Sequence, residues 1–205
     1  MTSVLMDGQQ VDKTLTGREK VGDVIGSMAT TLDKSRCVVK VHLDGEDITG
    51  KADRHLEPIG TYSRLEVMTG EVTALAHETI QTIAEFHETV IKEFSKAAEE
   101  FRMGDVEKSN QILVNCLDGL EIVVRSTQSA ANLLKKKASE IQTPSGNLME
   151  VGHRINEMFD EMIEAQTQQD TILLADLIEY ELIPVMEDWR SAFQAIRNTK
   201  RVAEV

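Results

Sequence analysis

From Glu71 onward, apolar residues recur every three or four positions, and this spacing constrains the fold more than any other feature of the 205-residue chain. Such a period puts them on one face of an α-helix, which in water must be buried against other helices. The first run is Ala76, Ile80, Ile83, His87, Val90, Phe94, Ala97 and Phe101. Gly104-Asp105 interrupts it, and Asp105 is placed to cap the next helix because its carboxylate can accept from the free N–H groups of a first turn. The second seam is Leu113, Cys116, Leu120, Val123, Thr127, Ala130 and Leu134, on a helix expected to run to about Ile141. A loop at 143–147, TPSGN, precedes a third seam of Leu148, Val151, Ile155, Met158, Met162 and Ala165. Asp170 caps a fourth helix, with Ile178, Leu182, Val185, Trp189, Ala192 and Ile196 on its seam. Four helices with short connections predict an antiparallel four-helix bundle.

Residues 1–70 read differently. They hold eight of the twelve glycines and several alternating runs of β type. SVLMDGQQVDKTL is a hairpin about Asp7-Gly8, and CVVKVHLDGEDIT repeats the pattern about Asp44-Gly45. Between them Val21, Val24, Ile25, Met28 and Leu32 share one helical face, and SRLEVMTG supplies a last strand. The order strand, strand, helix, strand, strand resembles a β-grasp domain of the ubiquitin-like type. The chain is therefore expected to be α+β, with a small β-grasp-like domain over 1–70 and a four-helix bundle over 71–205. The sequence runs on past Thr69-Gly70, without the exposed Gly-Gly tail of carrier relatives, which argues against a carrier role.

The net charge is −13, and 71–205 carries 13 Lys and Arg against 24 Asp and Glu. Nucleic acid is an unsuitable partner for such a chain, because phosphate binding relies on clustered cations. The run Lys135-Lys136-Lys137 lies near a helix end, where cations complement the helix dipole. No signal-peptide-like run opens the sequence, and none approaches the roughly 20 apolar residues that span a bilayer. A cytoplasmic protein without membrane insertion is the expectation.

Catalytic and metal-binding patterns fare poorly. A di-iron bundle needs two Glu-x-x-His motifs facing inward, and only Glu150-x-x-His153 is present, on the outer side of its helix. His77 and His87 are ten residues apart and do not share a face, so His87 reads as a core histidine satisfied by a hydrogen bond. Cys37 and Cys116 have neither disulfide nor metal-ligand spacing, and Cys116 sits on an apolar seam. No phosphate-binding glycine motif occurs. The reading is a non-enzyme with no cofactor.

One segment exceeds what a bundle core requires. With Ile178 at zero, Leu173, Leu177, Tyr180 and Pro184 fall between roughly 200° and 260° on a helical wheel, a second apolar stripe. These four are the candidate partner-binding residues, to be covered by the β-rich domain or by another chain. Pro184 lacks an N–H and is expected to bend the helix and free the Tyr180 carbonyl.

FRMGDVEKSNQILVNCLDGLEIV resembles the Gly-Asp-(Ile/Val)-Glu-x-(Ala/Ser)-Asn turn and helix of FliS-type flagellin export chaperones. NEMFDEMIEAQTQQDTILLADLIEYELIPVMEDWR is similar to the last two helices of that family, through Phe159, Met162, Ile163-Glu164-Ala165, Asp170 and Asp188-Trp189. The resemblance covers most of 80–197. The family's small glycine falls on Thr89, and its N-terminal arm is replaced by the β-rich part. What the resemblance implies is a cytoplasmic export chaperone or adaptor whose partner is a protein client, flagellin or another exported flagellar protein. Its disordered helical segment would lie on apolar grooves of the bundle. A scaffold or regulatory module that binds through the β-rich domain is the alternative.

Overall fold

The computed structural model describes residues 2–199 and is α+β, with a small N-terminal mixed sheet followed by several helices. Two compact units divide between Leu75 and Ala76.

In the first unit β1 (Ser3–Met6) and β2 (Gln9–Gln10) form a hairpin through Asp7 and Gly8, whose φ angles of 51° and 79° suit a primed turn. Asp44 and Gly45, at 47° and 90°, join β3 (Arg36–Leu43) to β4 (Glu46–Asp47) in the same way. β5 (Arg64–Glu71) lies in the middle, giving the order β2-β1-β5-β3-β4 with β1 and β5 parallel and every other pair antiparallel. Alternation along the strands sends Val4, Val41, Leu43, Leu65 and Val67 into a core shared with Val21, Val24, Ile25 and Met28 of helix α1 (Val21–Ala29). Leu32 falls beyond the end of α1 and is only partly buried.

Helix α2 (Val72–Met103), which lies in the second unit from Ala76 onward, ends at Gly104, where φ is +86°. Asp105 then caps α3 (Val106–Leu133), accepting from the Lys108 N–H at 3.1 Å. The expected extension of α3 to Ile141 does not occur. Lys135 takes the left-handed conformation at φ 55°, the Lys136 N–H donates to Ala131 O at 2.9 Å and the Lys135 N–H to Asn132 O at 2.9 Å. These are the two bonds of a Schellman motif, normally signalled by glycine. A lysine gives no such warning in the sequence. The three lysines thus sit just past the helix end, and a small hairpin follows, β6 (Gln142–Thr143) and β7 (Gly146–Asn147).

α4 (Leu148–Thr167) starts with a capping box of Asn147 and Glu150. It stops at Gln169, left-handed at φ 57°, where the Asp170 N–H donates to Ala165 O at 2.9 Å. The Asp170 side chain accepts from the Leu173 N–H at 2.9 Å, so one residue closes α4 and opens α5 (Thr171–Asp176). A π-helical segment, Leu177–Leu182, leads directly into α6 (Ile183–Arg197). All the seam residues named above are buried, and from Ala76 to Ile196 nearly all the apolar ones form one cluster.

Replacing Lys135 by glycine removes the left-handed strain while keeping the stop. Lys135→Gly is expected to raise stability by about 1 kcal/mol in urea unfolding; a loss of stability would contradict the assigned helix end.

Candidate functional site

The four residues of the second stripe do not share one environment. Leu173 and Tyr180 are 43% and 63% exposed, Pro184 is exposed, and Leu177 is 8% exposed within the helical core. The π-segment explains part of this. Its i→i+5 bonds make a wider turn than the α-helical wheel assumes, and Leu177 joins the core cluster of the helical unit. The covering chain is thus an element of the same unit. Pro184 lies where the π-segment passes without a break into α6, so its missing N–H is accommodated at the change of helical pitch and not at a free helix end. Arg102 of α2 lies over the Tyr180 ring at 5.6 Å from its centroid and pairs with Asp176 at 2.7 Å and with Glu179.

A second apolar feature lies on α3 and α4. Leu117 and Val124 on one side and Met149, Gly152 and Phe159 on the other line a groove of about 470 Å³, with Trp189 in its floor. The two helices run in opposite senses along it, since Asn110 near the start of α3 bonds Gln166 near the end of α4 at 3.1 Å. Val114 and Ile163, 53% and 61% exposed, continue the two lines of apolar side chains. The floor is rigidly set: the Trp189 indole N–H donates to Thr127 Oγ1 at 3.3 Å, and that hydroxyl donates to the Val123 carbonyl at 2.7 Å. Both side chains are buried, so the indole is satisfied without water. This groove was missed on the sequence, although Met149, Gly152, Asn156, Phe159 and Ile163 recur at helical spacing beside the core seam.

The titratable candidates have structural surroundings. His87 is fully buried, edge-on to Phe193 with ring centroids 5.2 Å apart, and neither ring nitrogen makes a hydrogen bond of ordinary geometry among the described residues, although a weak one to the Met186 backbone opposes the fall of its pKa. The hydrogen bond expected of His87 is thus at most this weak contact with the Met186 backbone. Burial lowers its pKa to about 4, the Glu88 carboxylate opposing and Arg190 reinforcing that shift. Glu88 and Arg190 pair with each other at 2.6 and 2.7 Å, joining α2 to α6. Burial pushes the Cys116 thiol up to about 12, so it is protonated at neutral pH. Glu150 is used as a helix cap, its Oε2 accepting from the Asn147 N–H at 3.0 Å. Among the described residues no three His, Cys, Asp or Glu side chains are grouped to hold a metal, and no helix is long and apolar enough to cross a membrane.

Residues 78–192, more than half of the chain and wholly within the helical unit, match the family described as a domain of unknown function, DUF8042. The chain belongs to that family. No curated protein and no solved structure gives a significant match.

The burial difference sets an expectation for two serine variants. Leu177→Ser should cost about 3 kcal/mol by leaving a cavity and a hydroxyl in the core, while Tyr180→Ser should cost less than about 1 kcal/mol. Equal effects in urea titrations would show that the stripe is a single surface after all.

His87 sets a pH dependence. Its folded pKa lies below the ordinary histidine value of 6.5, so the unfolded chain binds the extra proton. The stability it contributes is complete above about pH 6.5 and is lost as pH falls towards 4, by about 3 kcal/mol in all. Unfolding free energies at pH 7 and 4.5 should differ less in His87→Leu than in the wild type; an unchanged difference would rule His87 out as the source.

Proposed function

We propose that this DUF8042 protein is a non-enzymatic, cytoplasmic export chaperone or chaperone-like adaptor. It holds a helical segment of an exported protein, flagellin or another flagellar component, on the apolar groove between α3 and α4. We read the helical unit as an antiparallel four-helix bundle of FliS type and the sheet unit as β-grasp-like. The order β2-β1-β5-β3-β4 with a parallel central pair supports the second of these.

The groove is the observation that carries the reading. An open trough between two antiparallel helices accepts a third helix through anchors at i, i+3 or i+4, and i+7. A client that is disordered until bound loses conformational entropy on docking, so a long shallow surface suits it better than a closed pocket. Trp189 and Thr127 hold the floor in place before any client arrives, which lowers the ordering cost on the chaperone's side.

A scaffold that binds through the sheet unit is the second reading, favoured by Leu56 and Met68, 65% and 40% exposed. Photo-reactive residues at Met149 and at Met68, introduced separately in the native host, distinguish the two. The chaperone reading expects Met149 to capture the helical segment of an exported protein, identified by mass spectrometry. Capture only at Met68 favours the scaffold, and the absence of any exported protein sinks the chaperone.

A further inference from the structure

We infer that the groove selects an amphipathic helix whose apolar ridge is flanked by lysine and arginine. The inference rests on the helix-holding reading above and adds the chemistry of the client. Its basis is the distribution of charge on the two walls. α3 has no Lys or Arg from Ser109 to Val124, and none occurs from Ile155 to Trp189; the lining itself holds one cation, Arg125, together with His153. Glu121 lies in the lining, and Asp118 on α3 and Asp160 and Glu164 on α4, all exposed, fall on the solvent side of the apolar lines at helical spacing. Only Glu121 has a cation, Arg125, at 2.6 Å. Among the described residues the other three make no ion pair, and Glu164 merely accepts from Gln168 at 3.0 Å.

At about 0.1 M salt an exposed charge is felt over about 10 Å, so these carboxylates act on whatever lies in the groove beside them. Their field is concentrated over the apolar, weakly polarisable walls of the groove. A helix with basic flanks gains from that field and an acidic one is repelled, so the arrangement discriminates as well as attracts. The same charge disfavours a second copy of this chain, which would bring acidic wall against acidic wall. From Val114 to Arg125 the trough measures about 17 Å, room for about three turns of the docked helix.

Trp189 makes the test direct, being the only tryptophan of the chain and part of the groove floor. The full-length protein is titrated with three synthetic helical peptides of the same leucine ridge, flanked by lysine, glutamine or glutamate, while Trp189 emission is followed. The lysine peptide should bind at least about tenfold more tightly than the glutamine peptide at low salt, and the glutamate peptide least. High salt should erase the difference. Asp160→Lys combined with Glu164→Lys should reduce or reverse the order. Gly152→Leu should block all three, since a Cβ at that position meets nothing within 4 Å and the added side chain projects into open groove without disturbing the fold. An unchanged circular dichroism spectrum and melting curve establish that this variant is folded.

Equal binding of the lysine and glutamine peptides overturns the charge selection while leaving the helix-holding function standing. Failure of every peptide, or binding that survives Gly152→Leu, overturns both. Self-association that Gly152→Leu abolishes would assign the groove to a second copy and overturn the basic client.

Discussion

The burial of the helical segment from Thr171 to Arg197 is the constraint on which the helical unit depends. Ile178, Leu182, Val185, Met186, Trp189 and Phe193 all lie in one core with side chains from α2, α3 and α4. A segment that packs against several helices must bury more than a narrow stripe. The π-segment and Pro184 occur where that burial is broadest, with Leu174, Ala175, Leu177 and Ile178 all inside. Trp189 brings an indole N–H into this core, and Thr127 supplies its acceptor from α3. Removing that hydroxyl would leave a buried donor unpaired, so the contact fixes the register of α6 against α3 as well as filling space.

Cations are scarce in the helical unit, and several tie helices together. Arg102 joins α2 to the segment around Asp176, Arg190 joins α6 to Glu88, and Lys108 reaches back to Glu100. Each pair is at least partly exposed and contributes modestly by itself. Their positions nevertheless leave the walls of the α3–α4 groove with unneutralised carboxylates. Core packing, helix docking and the acid character of the groove are thus parts of one charge distribution.

Much of the helical core was legible because burial follows the 3.6-residue period, and every seam residue from Ala76 to Ile196 is inside. Asp105 and Asp170 were legible as caps because their side chains do a local job, accepting from N–H groups three residues on. Lys135 was not, since it occupies a left-handed position that glycine usually marks. Leu177 is not legible as core on a wheel of fixed pitch, which cannot register a π-turn. The groove escaped notice for another reason. Leu117, Val124 and Phe159 are only partly buried, and the sequence contains no statement of which neighbouring helix stands beside them.

By itself the sequence determined most of the helices and strands, though not the end of α3 or the π-segment, as well as which faces turn inward and that 71–205 is strongly acidic. Those properties arise from interactions within a few residues along the chain. Tertiary structure alone decided that Leu177 is core while Tyr180 is surface, that His87 is fully buried without a hydrogen bond of ordinary geometry among the described residues, and that Met149 and Phe159 face Leu117 and Val124 across a trough. Each of these depends on which helix lies opposite. Apolar burial is non-directional, so a periodic pattern specifies that a face must be covered but not what covers it.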